Sequence, residues 1–356
     1  MTDKSTTVAR RRRYAILAEG SFGELPSKTA IGVIRYGRDT VVAVLDSTRA
    51  GRNASEWLGP AVDIPIVASL GEALAHRPDA LLIGIAPPGG RLPPDWKRVI
   101  MAAIEAGLDI VAGLHEFIGD DEDLAAAARQ RGTEIIDHRR PPARMDVAQG
   151  RQHSANKRVV LTVGSDCAIG KMTVALELRR SALAQGLAAV FVPTGQTGMM
   201  IDGWGVAVDR LVSDFVQGTV EWLVEEGERM GDWVFVEGQG SIDHPAYSSV
   251  TLGLVHGARP HAMVLVHEPG RRFHHGWEAA ESRIKPLSDL VGAYENVAAL
   301  VAPSRVAAIA LNTAALAEGD SRRVLAETEA ETGLVADDPV RFGAERLLDA
   351  LRASLE

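Results

Sequence analysis

The chain has 356 residues, 46% of them hydrophobic and 24% charged, a soluble globular composition long enough for two cores. A net charge of -9, with its acids spread through predicted helices, argues against nucleic acid as the main partner and points to a small substrate. One cysteine excludes an internal disulfide framework, and no segment nears the roughly 20 apolar residues of a membrane span, so a cytoplasmic setting is expected.

The chain opens on a basic run, Ala9 to Gly20, in which only five mostly apolar residues follow the arginines. That is too short for the apolar region of a secretion signal, and residues 1–12 are expected to form a solvated arm. The runs "YAILAEG", "VVAVLDS", "IPIVAS", "ALLIGIAPPGG" and "DIVAGL" then alternate with polar or Ala-rich stretches. Such alternation is the pattern of parallel α/β winding and predicts a Rossmann-like domain over 13–140. Between Pro93 and Gly107, apolar residues recur at helical spacing and stop at a glycine. After the first strand stands "AEGSFGELPSK", without the glycine fingerprint of dinucleotide binding, so NAD is not expected.

From Asp137 to Arg158 the sequence is polar and rich in turn formers, which places a linker at 141–156. A second α/β domain is expected over 157–356. It begins with the buried strand "RVVLTVG", a glycine loop and a helix from about Lys171 to Gln185. Further strands are "AAVFVPTG", "WVFVEGQGS", "AMVLVHEP" and "VAAIALNT", with helices around 209–228, 287–300, 320–331 and 343–354. The apolar stripe of the first of these helices reads as core or subunit contact.

The loop Gly164-Ser165-Asp166-Cys167-Ala168-Ile169-Gly170-Lys171 has a strand before it and a helix after it. Backbone N–H groups and a helix N-terminus converge on an anion in such a loop, and the lysine adds a full charge. Gly164, Ser165, Asp166, Gly170, Lys171, Met172 and Thr173 are the candidate cofactor-binding residues. The glycines are separated by five residues, one more than in the common Walker loop, and Met172 stands where a magnesium-binding hydroxyl usually sits. Thr173 comes one residue late, rotated by about 100°.

Ligands of α/β sheets sit at the carboxyl ends of the strands. There "VFVEGQG" places Glu237 and Gln239, and the glycine-dense "PTGQTGMMIDGWG" supplies Thr194, Gln196, Thr197 and Asp202 as a second ligand loop. His267 and Glu268 end another strand, and Arg271 and Arg272 follow as candidates to neutralise a carboxylate or phosphate. Histidines gather late in the chain, at 244, 256, 261, 267, 274 and 275, but none has the spacing of a zinc-binding helix, and no metal site is expected. Cys167 lies inside the loop with no histidine beside it in sequence, and no catalytic role is expected of it.

In order, "GSDCAIGKMT", "PTGQTGMMIDGWG", "VEGQGSIDHPAYS" and "HEPGR" resemble motifs of a bacterial and archaeal family that includes DgcN-type D-glutamate N-acetyltransferases. The resemblance spans nearly the whole chain and implies a Rossmann-like N-terminal and a P-loop C-terminal domain. The C-terminal half is also similar to dethiobiotin synthetase, which shares the five-residue glycine spacing. A ligase or kinase of that type would use ATP with Mg²⁺ and a hydroxyl at position 172; an acetyltransferase needs no metal there, and Met172 favours it. The resemblance thus implies transfer of acetyl from acetyl-CoA to the amine of an acidic amino acid, D-glutamate, in D-amino-acid catabolism. Lys171 and the loop amides would hold phosphate, Glu237 or His244 would be the base, and Arg271 or Arg272 would hold the carboxylate. A non-catalytic CoA or nucleotide sensor is the third reading. A homo-oligomer acting on a small molecule, apart from nucleic acid and membrane, is expected.

Overall fold

The computed structural model describes residues 10–85 and 92–356. Most of the expected arm, and the end of the run "ALLIGIAPPGG", lie outside them. The chain forms two compact units, one reaching to Pro141 and including Gln196–Arg210, the other made of Pro142–Gly195 and Leu211–Glu356.

The first unit winds strand and helix in alternation: β1 (Arg13–Leu17), α1 (Lys28–Tyr36), β2 (Thr40–Leu45), α2 (Ser55–Leu58), β3 (Ile66–Val67), α3 (Leu70–Leu74), β4 (Ala80–Ile83), α4 (Pro94–Glu105), β5 (Asp109–Ala112), α5 (Glu122–Arg131) and β6 (Ile135–Asp137). Its strands are parallel in the order β3-β2-β1-β4-β5-β6, the doubly wound Rossmann arrangement that the alternating runs predict. Pro94 starts α4, where its missing N–H costs nothing. Asp121 caps α5 by accepting from the N–H groups of Asp123 and Leu124, and Gly132 ends it in the left-handed conformation. Arg10 is exposed, as the expected solvated arm requires, whereas Arg12 is largely shielded. Arg12 pairs with Asp109 and Glu134, and Arg10 with Asp79.

The second unit holds β7 (Arg158–Gly164), α6 (Lys171–Ala184) and β8 (Ala189–Val192). Next in the chain comes α7 (Gln196–Asp202), which groups with the first unit, then α8 (Val216–Met230), β9 (Trp233–Val236), α9 (Ser248–Ala258), β10 (Ala262–His267), α10 (Leu287–Ala299), β11 (Arg305–Leu311), α11 (Glu318–Thr332), β12 (Val335–Asp337) and α12 (Glu345–Leu355). Its parallel sheet runs β12-β11-β10-β7-β9-β8. β7 is central and buried from Val159 onward, as its run of Val and Leu requires.

The stretch read as a linker is a polar strap on α8. The N–H groups of Gln149 and Arg151 donate to the buried Glu221 carboxylate, and His153 Nδ1 lies 2.7 Å from Glu228 Oε1. A Cβ on Gly218 would lie 2.0 Å from the Asp146 carbonyl oxygen, so only glycine lets the strap lie this close. The helix expected at 209–228 begins later, at Val216, after short 3-10 turns.

Candidate functional site

The ends of β7, β9 and β10 carry the glycine loop, Glu237 and His267 to one edge of the second sheet. Gly170, at φ +110°, turns the chain into α6 and offers no capping side chain. Lys171 is the first residue of that helix and is buried, and its Nζ donates to the main-chain oxygen of Asp166 at 2.6 Å. Two glycines leave room for its stem. A Cβ on Gly164 would lie 3.0 Å from Lys171 Cδ, and one on Gly238 would lie 3.3 Å from it and 1.6 Å from the Thr162 carbonyl oxygen.

Glu237 is buried, and its Oε2 accepts the N–H groups of Thr194 at 2.9 Å and Gly195 at 3.0 Å. Thr194 Oγ1 donates back to the Glu237 carbonyl at 2.7 Å, and Gln239 Nε2 donates to the Thr194 carbonyl at 2.6 Å. Thr194, Glu237 and Gln239 therefore form one hydrogen-bonded group, in which the Glu237 carboxylate is a clamp on backbone amides. Gln196, Thr197 and Asp202 do not join it. The stretch read as a ligand loop is helical there and packs in the first unit, where Thr197 Oγ1 lies 2.8 Å from Thr29 Oγ1 and Asp202 accepts from Trp204 Nε1.

Asp166 is wholly buried inside the loop. Its Oδ1 accepts the Cys167 N–H, and its Oδ2 accepts Arg271 Nη1 at 3.0 Å and the His275 N–H at 2.9 Å. Arg271 also donates to the Cys167 carbonyl and to Glu268. Its Nη1 is thus occupied in shaping the loop; the other candidate, Arg272, is exposed. Met172 and Thr173 stand half-buried on the first turn of α6. Ser165 Oγ lies 2.8 Å from His267 Nδ1, and burial, aided by the Arg271 charge, lowers the His267 pKa to about 4.

Behind the loop lies a cluster that the sequence points to only in part. His244 is 1% exposed, and its ring stands 5.2 Å from that of His274. His274 Nε2 is 3.3 Å from Asp243 Oδ1, which accepts the Ser241 hydroxyl, while Asp243 Oδ2 is buried with no hydrogen-bond partner among the described residues. Asp243 lies inside the motif "VEGQGSIDHP", beside a candidate histidine. Tyr294 has no such signal: it sits on α10, far along the chain, yet its hydroxyl donates to the Gly164 carbonyl and accepts the N–H of Ile242.

The Domain of unknown function (DUF1611_N) Rossmann-like domain matches residues 47–141, and the Domain of unknown function (DUF1611_C) P-loop domain matches 146–348. A D-glutamate N-acetyltransferase of Tritonibacter scottomollicae is 36% identical over 92% of this chain and 95% of its own length. Another, of a Pseudoalteromonas species, is 31% identical over 79% of this chain and 83% of its own. The crystal structure of a DUF1611 family protein from Anabaena variabilis is similar with a TM-score of 0.90 and 40% identity, covering 96% of this chain and all of that one.

Proposed function

The chain belongs to the DUF1611 family, and from that premise we propose that it is an N-acetyltransferase that moves an acetyl group from acetyl-CoA to the amine of D-glutamate. The observation that carries the reading is a buried lysine at the head of α6, beside an uncapped glycine turn, with Met172 where a metal-binding hydroxyl would stand. The helix N-terminus and Lys171 suit the phosphates of coenzyme A, and no side chain at position 172 asks for Mg²⁺.

In this reading the cosubstrate supplies the thioester. Asp243, through its unpartnered Oδ2, takes the proton that the substrate ammonium must lose before its nitrogen can attack. Arg272 holds the substrate carboxylate. Glu237 fixes the backbone of Thr194 and Gly195 at the rim of the site. The single cysteine fits a cytoplasmic setting and the acidic charge fits a small-molecule substrate.

The test is to incubate the purified chain with acetyl-CoA and D-glutamate in EDTA, following released CoA thiol and N-acetylglutamate by mass, with L-glutamate alongside. Product formed only when ATP and Mg²⁺ are added would overturn the reading in favour of a ligase or kinase.

A further inference from the structure

His244 holds a ring whose hydrogen-bonding roles are fixed by its surroundings. Its Nδ1 accepts the N–H of Ala246 at 3.1 Å, so the proton of the neutral ring is on Nε2. That Nε2 is buried and has no hydrogen-bond partner among the described residues; the nearest acceptor, Asp166 Oδ1, is 3.6 Å away. A ring nitrogen of His244, the Cys167 sulfur and an Asp166 carboxylate oxygen all lie within 4.8 Å of one another, beside the glycine loop.

The trio does not fit a metal ion. Coordination through Nε2 would require the proton to move to Nδ1, where it would oppose the Ala246 N–H, and Arg271 already neutralises Asp166. The same geometry removes His244 as the general base that the sequence suggests, because Nε2 has no lone pair to offer and that of Nδ1 is engaged. What remains is a buried N–H donor next to Asp166 and Cys167 of the loop.

We propose that His244 donates its Nε2–H to the carbonyl oxygen of the acetyl group during transfer, a role that rests on the acetyltransferase reading above. The substrate nitrogen bonds to the carbonyl carbon, and the carbonyl π pair moves onto the oxygen that His244 faces. The pair returns as the C–S bond breaks, the nitrogen sheds its second proton to give the amide, and the departing CoA thiolate takes that proton up. A donor that stays neutral and buried stabilises this oxyanion without reorganising. Burial is the largest influence on the ring and lowers its pKa; the His275 backbone is the next largest and pulls the other way, as do Asp166 and Asp243, while His274 adds to the lowering. The groups facing the ring are Asp166, Cys167, Asp243, His274, the backbone of His275 and Tyr247.

The test compares the full-length wild type with His244→Gln, whose amide keeps an N–H donor, and His244→Ala. The alanine variant should lose on the order of 10²–10³ in kcat. The glutamine variant should stay within about tenfold of the wild type and keep the acidic limb of its kcat–pH profile. A folded glutamine variant as inactive as alanine, or one lacking that limb, would restore His244 as the base and overturn the proposal. Nitrogen-15 spectra of the wild type read the ring independently of turnover. A neutral, Nε2-protonated ring from pH 6 to 8 is expected, and an Nδ1 tautomer or a ring titrating in that range overturns the role. If instead that ring state is seen but no D-glutamate is acetylated, the activity reading fails and the acyl-oxygen role falls with it.

Discussion

The Tyr294 hydroxyl donates to the Gly164 carbonyl at 2.7 Å and also receives the Gly164 N–H at 3.3 Å, so one side chain on α10 holds both polar groups at the start of the glycine loop. The hydroxyl accepts the Ile242 N–H too, at 3.0 Å, which joins the loop to the segment carrying Asp243 and His244. Burial pushes its pKa up to about 12, and it remains a donor. Tyr294→Phe leaves buried backbone groups unmatched, at about 1–3 kcal/mol. Chemical denaturation should show a loss of that size, together with a raised KM for acetyl-CoA. A variant as stable as the wild type would show that the hydroxyl is dispensable to the loop.

Lys171→Met keeps the buried stem between Gly164 and Gly238 but removes the ammonium. A charge-assisted contact to phosphate is worth about 1.5–3 kcal/mol. Calorimetry with coenzyme A should therefore show affinity weakened by roughly tenfold to a hundredfold at a nearly unchanged melting temperature. Unaltered affinity in the folded variant would mean that the loop does not hold the phosphates.

Where apolar runs are long and bounded by turn formers, as in β1, β2, β7 and β10, the strands are legible in the sequence, and so is the glycine loop, because its chemistry is local. The helix α7 is not. Its glycines read as a loop, yet Gly198 is buried inside the helix, and the side chain of Gln196 packs against Gly113 of the first unit. The strap over α8 reads as a linker because its partners, the acids Glu221 and Glu228, lie some 70 residues further on. Arg271 reads as a substrate ligand, and nothing in the sequence shows that the fold brings Asp166 against it. Residues whose roles depend on distant partners carry no signature in one sequence; Tyr294 is the clearest case.

Acid should weaken the second unit through His267. Its folded pKa of about 4 lies below the roughly 6.5 of an unfolded histidine. A depressed histidine favours its neutral form in the folded state, so its contribution is complete above about pH 6.5 and is lost as pH falls from there toward 4. His261 in the same unit and His138 in the first, both near 4 through burial, act with the same sign. Urea denaturation at pH 7.5 and 5 should show lower stability at pH 5, and His267→Gln should flatten that dependence by at most about 2 kcal/mol. An unchanged slope in the variant would place the acid sensitivity elsewhere.

Met172→Thr restores the hydroxyl that a Mg²⁺-nucleotide loop uses. Met172 is half-buried on the first turn of α6, so threonine fits without opening a cavity in a core. If the loop serves coenzyme A alone, acetyl transfer should stay within a few-fold of the wild type, and neither form should respond to EDTA, because no step asks for a ligand at that position. If the loop were a disguised nucleotide site, the added hydroxyl should strengthen Mg²⁺–ATP binding and raise nucleotide turnover. The measurement is initial rates with acetyl-CoA and D-glutamate for both forms, in EDTA and then in Mg²⁺, with ATP hydrolysis followed in parallel. Loss of wild-type transfer in EDTA would show that a metal is required and would remove the argument that rests on Met172.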